Sequence, residues 1–168
     1  MNNKITRITP NLWFDTQAEQ AAEFYVSVFT NSKIERTTHY GKEGSEIHGM
    51  PEGSVMTVDF RLDGQDFVAL NGGPHFTFNE AISFIVYCAN QEEVDYYWGK
   101  LSDGGDEKAQ VCGWLKDKFG VSWQIVPTVL NEMISDPDPE KSQRVMKALL
   151  QTEKKINIET LKHAYEGK

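Results

Sequence analysis

The sequence predicts an α+β fold of two βαβββ modules followed by a helical tail. Three observations carry this. The order strand, helix, three strands occurs twice, with strand starts at Ile5 and Ile82 and helix starts at Gln17 and Gln91. An Asp63-Gly64 pair joins two alternating segments, and that pair suits the positive φ angles of a type I′ hairpin turn. Beyond residue 127 the strand alternation gives way to helical spacing. The identities do not repeat between the two copies, so the repetition is one of pattern alone.

In the first copy, a strand runs from Ile5 to Phe14. Thr16 and Glu19 read as a capping box, and Ala21, Phe24, Tyr25, Val28 and Phe29 give the helix to about Phe29 its apolar face. A strand follows at about Lys33–Tyr40. The polar stretch 41–53, with Gly41, Gly44, Gly49, Pro51 and Gly53, reads as a loop. Strands at about Ser54–Leu62 and Gln65–Leu70 complete the copy, which Asn71-Gly72-Gly73-Pro74 ends.

In the second copy, Ile82, Phe84, Val86 and Cys88 alternate as the buried face of a strand. Asn90 and Glu93 form a second capping box, Val94, Tyr97, Trp98 and Leu101 face inward, and Asp103-Gly104-Gly105 stops the helix. Short strands are expected at about 107–112 and 114–116, and a last one at Val121–Val126. In the tail, Asp138 before Pro139 starts a helix with Val145, Met146, Leu149 and Leu150 on one face. Asn157 starts another with Ile158, Leu161, Ala164 and Tyr165 inward, closed by Gly167.

Composition narrows the function. The chain of 168 residues is 39% hydrophobic and 25% charged, a globular balance sufficient for one sizeable core. A net charge of −8 argues against nucleic acid or anionic membrane as partner. No apolar run approaches the roughly 20 residues of a membrane span, and Met1–Arg7 lacks the apolar stretch of a signal peptide. A cytoplasmic protein with two free thiols, Cys88 and Cys112, is therefore expected.

Five segments together look like one known family: I-T-P-N-L-W-F (8–14), E-F-Y-V-S-V-F (23–29), D-G-Q-D-F-V-A-L-N-G-G-P (63–74), C-G-W-L-K-D-K-F-G-V-S-W-Q-I-V-P (112–127) and R-V-M-K-A-L-L (144–150). They resemble the PhnB-like branch of the vicinal oxygen chelate superfamily, which includes glyoxalase I, bleomycin-resistance proteins and extradiol dioxygenases. The resemblance implies a glyoxalase-like domain over 1–127, its modules at about 1–74 and 80–127 curled into a half-open barrel. Residues 128–168 then form a helical extension packing on the domain or on a dimer partner. The resemblance also implies homodimers. Members of this branch have often carried the label 3-demethylubiquinone-9 3-methyltransferase. A methyltransferase of the usual type needs a Gly-rich strand-to-helix turn, whereas here Asp15-Thr16-Gln17 follows the first strand.

In the superfamily, metal ligands come from inward positions on the first and last strands of each module. Alternation leaves Asn11 and Trp13 facing the cleft, then Ser83, Ile85 and Tyr87, then Ser122 and Gln124. Gln124 falls where the family has its final glutamate, and the fourth-strand position falls near Ala69 or Leu70. The set Asn11, Ser83 and Gln124 is neutral and weakly coordinating, so no metal and no cofactor is expected.

Asp59 could be a general base pointing into the cleft, or could pair with Arg61 on the same face. His48 could belong to a lid over the cleft or be a solvent-exposed loop histidine. Cys112 could be a nucleophile or a buried structural thiol. Trp13, Trp114 and Tyr87 could line a hydrophobic pocket or be plain core. The function expected is binding of a small molecule by Asn11, Trp13, Asp59, Ser83, Tyr87, Trp114 and Gln124. The alternatives are a lyase or dioxygenase-like enzyme, or the methyltransferase of the label.

Overall fold

The computed structural model describes residues 7–168. They form two compact units, one ending at Phe78 and the other spanning Asn79–Lys168. No helix among the described residues is long and apolar enough to cross a membrane.

The first unit holds β1 (Asn11–Phe14), α1 (Ala18–Val28), β2 (Lys33–His39), a helical turn α2 (Ser45–His48), β3 (Val55–Leu62) and β4 (Gln65–Asn71). The sheet order is β1-β4-β3-β2, with β1 parallel to β4 and the other pairs antiparallel. Asp63 and Gly64 have φ of 44° and 83°, the two positive values a type I′ turn requires. Leu12, Phe14, Val58, Phe60, Phe67 and Ala69 are buried, as are Ala21, Ala22, Tyr25 and Val28 of α1. Phe60 stacks between Tyr25 and Phe67 at ring separations of 6.3 and 5.4 Å.

Two expectations change here. The first strand begins at Asn11, not Ile5; residues 5 and 6 lie outside the described residues, and Pro10 just before the strand lacks an amide hydrogen. The Thr16–Glu19 capping box does not form. Gln17 occupies the N-cap position without a side-chain bond, and the Ala18 N–H is instead satisfied by Asn71 Oδ1 at 2.8 Å. Asn71 is buried, donates from Nδ2 to Val55 O at 3.0 Å, and accepts at its backbone oxygen from the Tyr40 hydroxyl at 2.6 Å.

The second unit holds β5 (Phe84–Cys88), α3 (Gln91–Ser102), β6 (Trp114–Lys116) and β7 (Ser122–Pro127), then α4 (Thr128–Ile134), α5 (Pro139–Leu150) and α6 (Ile158–Glu166). Its sheet order is β5-β7-β6, with β5 parallel to β7. The Asn90 cap holds: its side chain accepts from Glu93 N at 2.9 Å, while Glu93 reaches back to Ala89 N at 2.7 Å. The expected strand at 107–112 is not one. Asp106 caps a single 3₁₀ turn at Glu107–Ala109 through Lys108 N, and only Val111 bridges to Trp114. Ile82 lies ahead of β5 and is 74% exposed rather than buried.

The tail has three helices where two were expected. Leu130 and Met133 of α4 join Val145, Leu161 and the connecting residue Ile156 in a small core of their own. Asp138 and Asn157 cap α5 and α6 as their sequence suggests. Leu150 is 69% exposed, so the inward face of α5 runs through Val145, Ala148 and Leu149 instead.

The placement of Asn71 gives a stability test. Asn71→Ala should lower unfolding free energy by about 2–3 kcal/mol, because it removes a helix cap and leaves the buried Ala18 N–H and the half-buried Val55 carbonyl unpaired. Thr16→Ala should change it by no more than about 0.5 kcal/mol. Urea denaturation of the two variants distinguishes the caps; equal losses would restore the Thr16 box.

Candidate functional site

In the first unit, the sheet face opposite α1 is built row by row from the strand register. Asn11 pairs across to Val68, Val68 to Asp59 and Asp59 to Arg36. The next row runs Trp13, Leu70, Thr57, Thr38. Asn11, Trp13 and Asp59 therefore share one face, as alternation predicts. Trp13 is half-buried. Its indole N–H donates to Gly73 O at 2.9 Å, and the edge of its ring system meets Phe76 at 5.0 Å. The ring lies against Gly72, where a Cβ would come within 2.2 Å of it, so this position has room for glycine only.

Asp59 does not pair with Arg61. Arg36 Nε and Nη2 both donate to Asp59 Oδ2, at 2.9 and 2.6 Å. Arg61 turns to its own cross-strand partner Asp66 at 2.7 Å, with Glu35 at 3.6 Å. The hydrogen bond that Arg61 donates to Asp66, and then the charge of Asp66, raise the Arg61 guanidinium above its ordinary value. These five charged side chains line a cavity of about 370 Å³ on the same sheet. His48 packs its ring on Tyr40 at 4.6 Å and accepts at Nδ1 from Met50 N at 3.0 Å.

In the second unit, Gln124 is the centre. It lies between Ile85 of β5 and Trp114 of β6, and its Nε2 donates to Ser83 Oγ at 2.9 Å. Thus the two residues expected to orient a ligand are bonded to each other. Trp114 is half-buried; Ile85 and Tyr87 beside it are 46% and 55% exposed. Ser122, on the same face, is buried with no hydrogen-bond partner for its hydroxyl among the described residues. A larger cavity, about 610 Å³, sits between the starts of α3 and α6, lined by Asn90, Gln91, Asn157 and Lys162 among others. None of the expected ligand residues lines it.

Among the described residues no three His, Cys, Asp or Glu side chains group as a metal ion would require. Among the residues expected from the sequence, Asn11 in the first unit offers a carboxamide beside the apolar Ala69 and Leu70, and Ser83 and Gln124 in the second offer a hydroxyl and a carboxamide. Neither group of neutral donors fits a tightly held divalent ion.

One residue with a large structural role, Asp117, escaped the sequence reading. Its buried carboxylate accepts from Phe119 N at 2.8 Å and Val121 N at 3.0 Å through Oδ1, and from the Trp123 indole at 2.8 Å through Oδ2. It closes the hairpin between β6 and β7, where Gly120 has φ of 89°. The signal was the aspartate itself, within the K-D-K-F-G-V-S-W run, three residues before a glycine and six before a tryptophan.

Residues 6–126 match the family described as 3-demethylubiquinone-9 3-methyltransferase. The PhnB protein from Bacillus cereus is similar over 73% of this chain and 100% of its own, at 34% identity and a TM-score of 0.63. The chain belongs to this family. It is a PhnB-like member of that family. Protein PA1353 from Pseudomonas aeruginosa shares the fold at 17% identity, covering 73% of this chain and 98% of its own with a TM-score of 0.58. Comparison with curated proteins gives no match.

The family description invites a test of the adenosyl cofactor. The β1-to-α1 turn of this PhnB-like chain contains Asp15, Thr16 and Gln17, and the first helical N–H is already bound to Asn71. The turn lacks the glycine that such a cofactor uses, and its leading amide is already bound, so the residues there do not fit it.

The thiols differ in setting. Burial, and then the charge of Glu93, push the Cys88 thiol up to about 11. Cys88 should therefore resist iodoacetamide at pH 8 in the folded protein and react once it is unfolded in urea. The unfolded thiol ionises first, so Cys88 should also weaken stability as pH rises from about 9 to about 11. Labelling of Cys88 in native protein at a rate equal to the unfolded rate would contradict this.

Proposed function

We propose that this PhnB-like protein binds a small organic molecule and does so without a metal ion. The observation that carries the reading is the Ser83–Gln124 hydrogen bond at 2.9 Å beside the half-buried Trp114. A neutral donor–acceptor pair next to an aromatic surface suits a flat or apolar ligand with one or two polar groups. In the first unit, Asn11 and Trp13 place a polar group beside an aromatic one, with the Asp59–Arg36 ion pair next to them. Tyr87 extends the aromatic surface of the second unit.

The reading includes a homodimer. The exposed Ile85, Tyr87 and Leu150 support it, since apolar groups of this size gain from being covered. Two-fold pairing is the commonest route by which soluble chains do so. Sedimentation at tens of micromolar should give twice the mass of the chain; a monomer would contradict this.

The decisive experiment is mass spectrometry and elemental analysis of gently purified protein. The expected result is an organic mass that dissociates on denaturation, with zinc and nickel far below one per chain. Gln124→Ala and Trp114→Ala should each weaken retention, by roughly tenfold if a hydrogen bond or an aromatic contact is lost. Adding zinc or nickel should leave the melting temperature unchanged. A stabilisation of about 2.7 kcal/mol, as expected at a hundredfold excess over Kd, would show a tight metal site and overturn the reading.

A further inference from the structure

We infer that the C-terminal extension acts as a strap that positions Trp114 by holding a strained turn beside it. The family match ends at residue 126, so the strap belongs to the part of the chain outside the match. The turn is Cys112-Gly113. Both residues have positive φ, 50° and 84°, and their neighbours Val111 and Trp114 exchange two backbone hydrogen bonds of 3.1 and 2.8 Å. This is the two-residue type I′ geometry, which Asn-Gly fills readily. A cysteine enters it at a steric cost, because its Cβ crowds the following carbonyl.

The extension holds that conformation from outside. Cys112 N–H donates to Thr152 O at 3.0 Å and Gly113 N–H to Lys154 O at 2.8 Å. Ile156, two residues further, presses on Gly113, where a Cβ would lie 2.8 Å from its Cδ1. The segment is anchored in turn on α3. Gln91 accepts from Ile158 N at 2.9 Å and donates to Ile156 O at 3.3 Å, and Lys155 pairs with Asp95 at 2.6 Å. On its other side the turn is tied to β7, where Ile125 N donates to Gly113 O at 2.8 Å, one residue from Gln124. Holding the turn thus fixes both Trp114 and the strand that carries Gln124. That these residues meet a ligand rests on the small-molecule reading above; the positioning itself does not.

The test uses the full chain labelled with 5-fluorotryptophan. Its four tryptophans give four fluorine signals, and Trp114→Phe assigns one of them. Gln91→Ala should shift or broaden the Trp114 signal and leave that of Trp123, held by Asp117, in place. Amide exchange at Cys112 and Gly113 should quicken by roughly tenfold, the effect of one lost hydrogen bond. Ile156→Ala should act more strongly at the same positions. Cys112→Asn, which favours the turn by itself, should restore the Trp114 signal in the Gln91→Ala background. Unchanged exchange at 112 and 113 in both single variants would overturn the inference. So would Trp114 and Trp123 signals moving together, or a failure of Cys112→Asn to restore. No ligand enters the measurement, so its outcome is separate from that of the binding experiment.

Discussion

The buried carboxamide of Asn71 joins the start of α1, the start of β3 and, through its own backbone oxygen, the hydroxyl that ends β2. A carboxamide has both a donor and an acceptor end, so one side chain can satisfy an N–H and a C=O that face each other across a sheet end. An aspartate could serve only the first of these when ionised. The helix orientation and the register of β3 are therefore set at the same point, and the face that carries Asn11, Trp13 and Asp59 follows from that register. The second unit solves a related problem with Asp117, an acceptor only, because the three groups it meets are all donors. In both units a buried polar side chain organises a turn or strand end and leaves the open sheet face to other residues.

That division explains what could be read in advance. Strand alternation placed Leu12, Phe14, Val58, Phe60 and Ile125 inward because one face of each sheet is covered by a helix, and period-two patterning records this directly. Local caps at Asn90, Asp138 and Asn157 were legible because cap and helix are adjacent in sequence. The cap of α1 was not, since its donor lies 53 residues from its acceptor. The Asp59–Arg36 pair was hidden for a similar reason. An irregularity between Ile34 and Arg36 shifts the register of β2, so no count along the sequence brings Arg36 opposite Asp59. The segment 107–112 carried too little β-branched or aromatic content to compete with the Asp106 cap.

Of the candidate site, the sides of their strands on which Asn11, Trp13 and Gln124 lie were legible from alternation, but the pairing of Gln124 with Trp114 was not. Nor was the Ser83–Gln124 bond, because parallel pairing of β5 with β7 sets which residues adjoin, and the chain between them runs through α3 and β6. The bond changes the chemistry on offer. Two separate polar groups become one unit with a carboxamide oxygen at its end, an acceptor that would hold a cation weakly.

The family's descriptive name and the chain's side chains point to different chemistry. A methyl transfer from an adenosyl cofactor needs a place for that cofactor, and the first strand-to-helix turn has its leading amide already satisfied. A metal-dependent reaction of the superfamily type needs charged ligands, and the corresponding positions hold carboxamide, hydroxyl and apolar groups. What the second unit supplies is aromatic surface edged by neutral hydrogen-bonding groups, whereas in the first Asn11 and Trp13 stand beside the Asp59–Arg36 ion pair. The extension after residue 126 then has a role the modules cannot fill from their own sequence. A Cys-Gly turn does not favour the left-handed conformation at its first residue, so the hairpin that presents Trp114 draws its geometry from Thr152, Lys154 and Ile156. The second module and the extension are in this sense one structure, in which the later segment completes a turn the earlier one leaves strained.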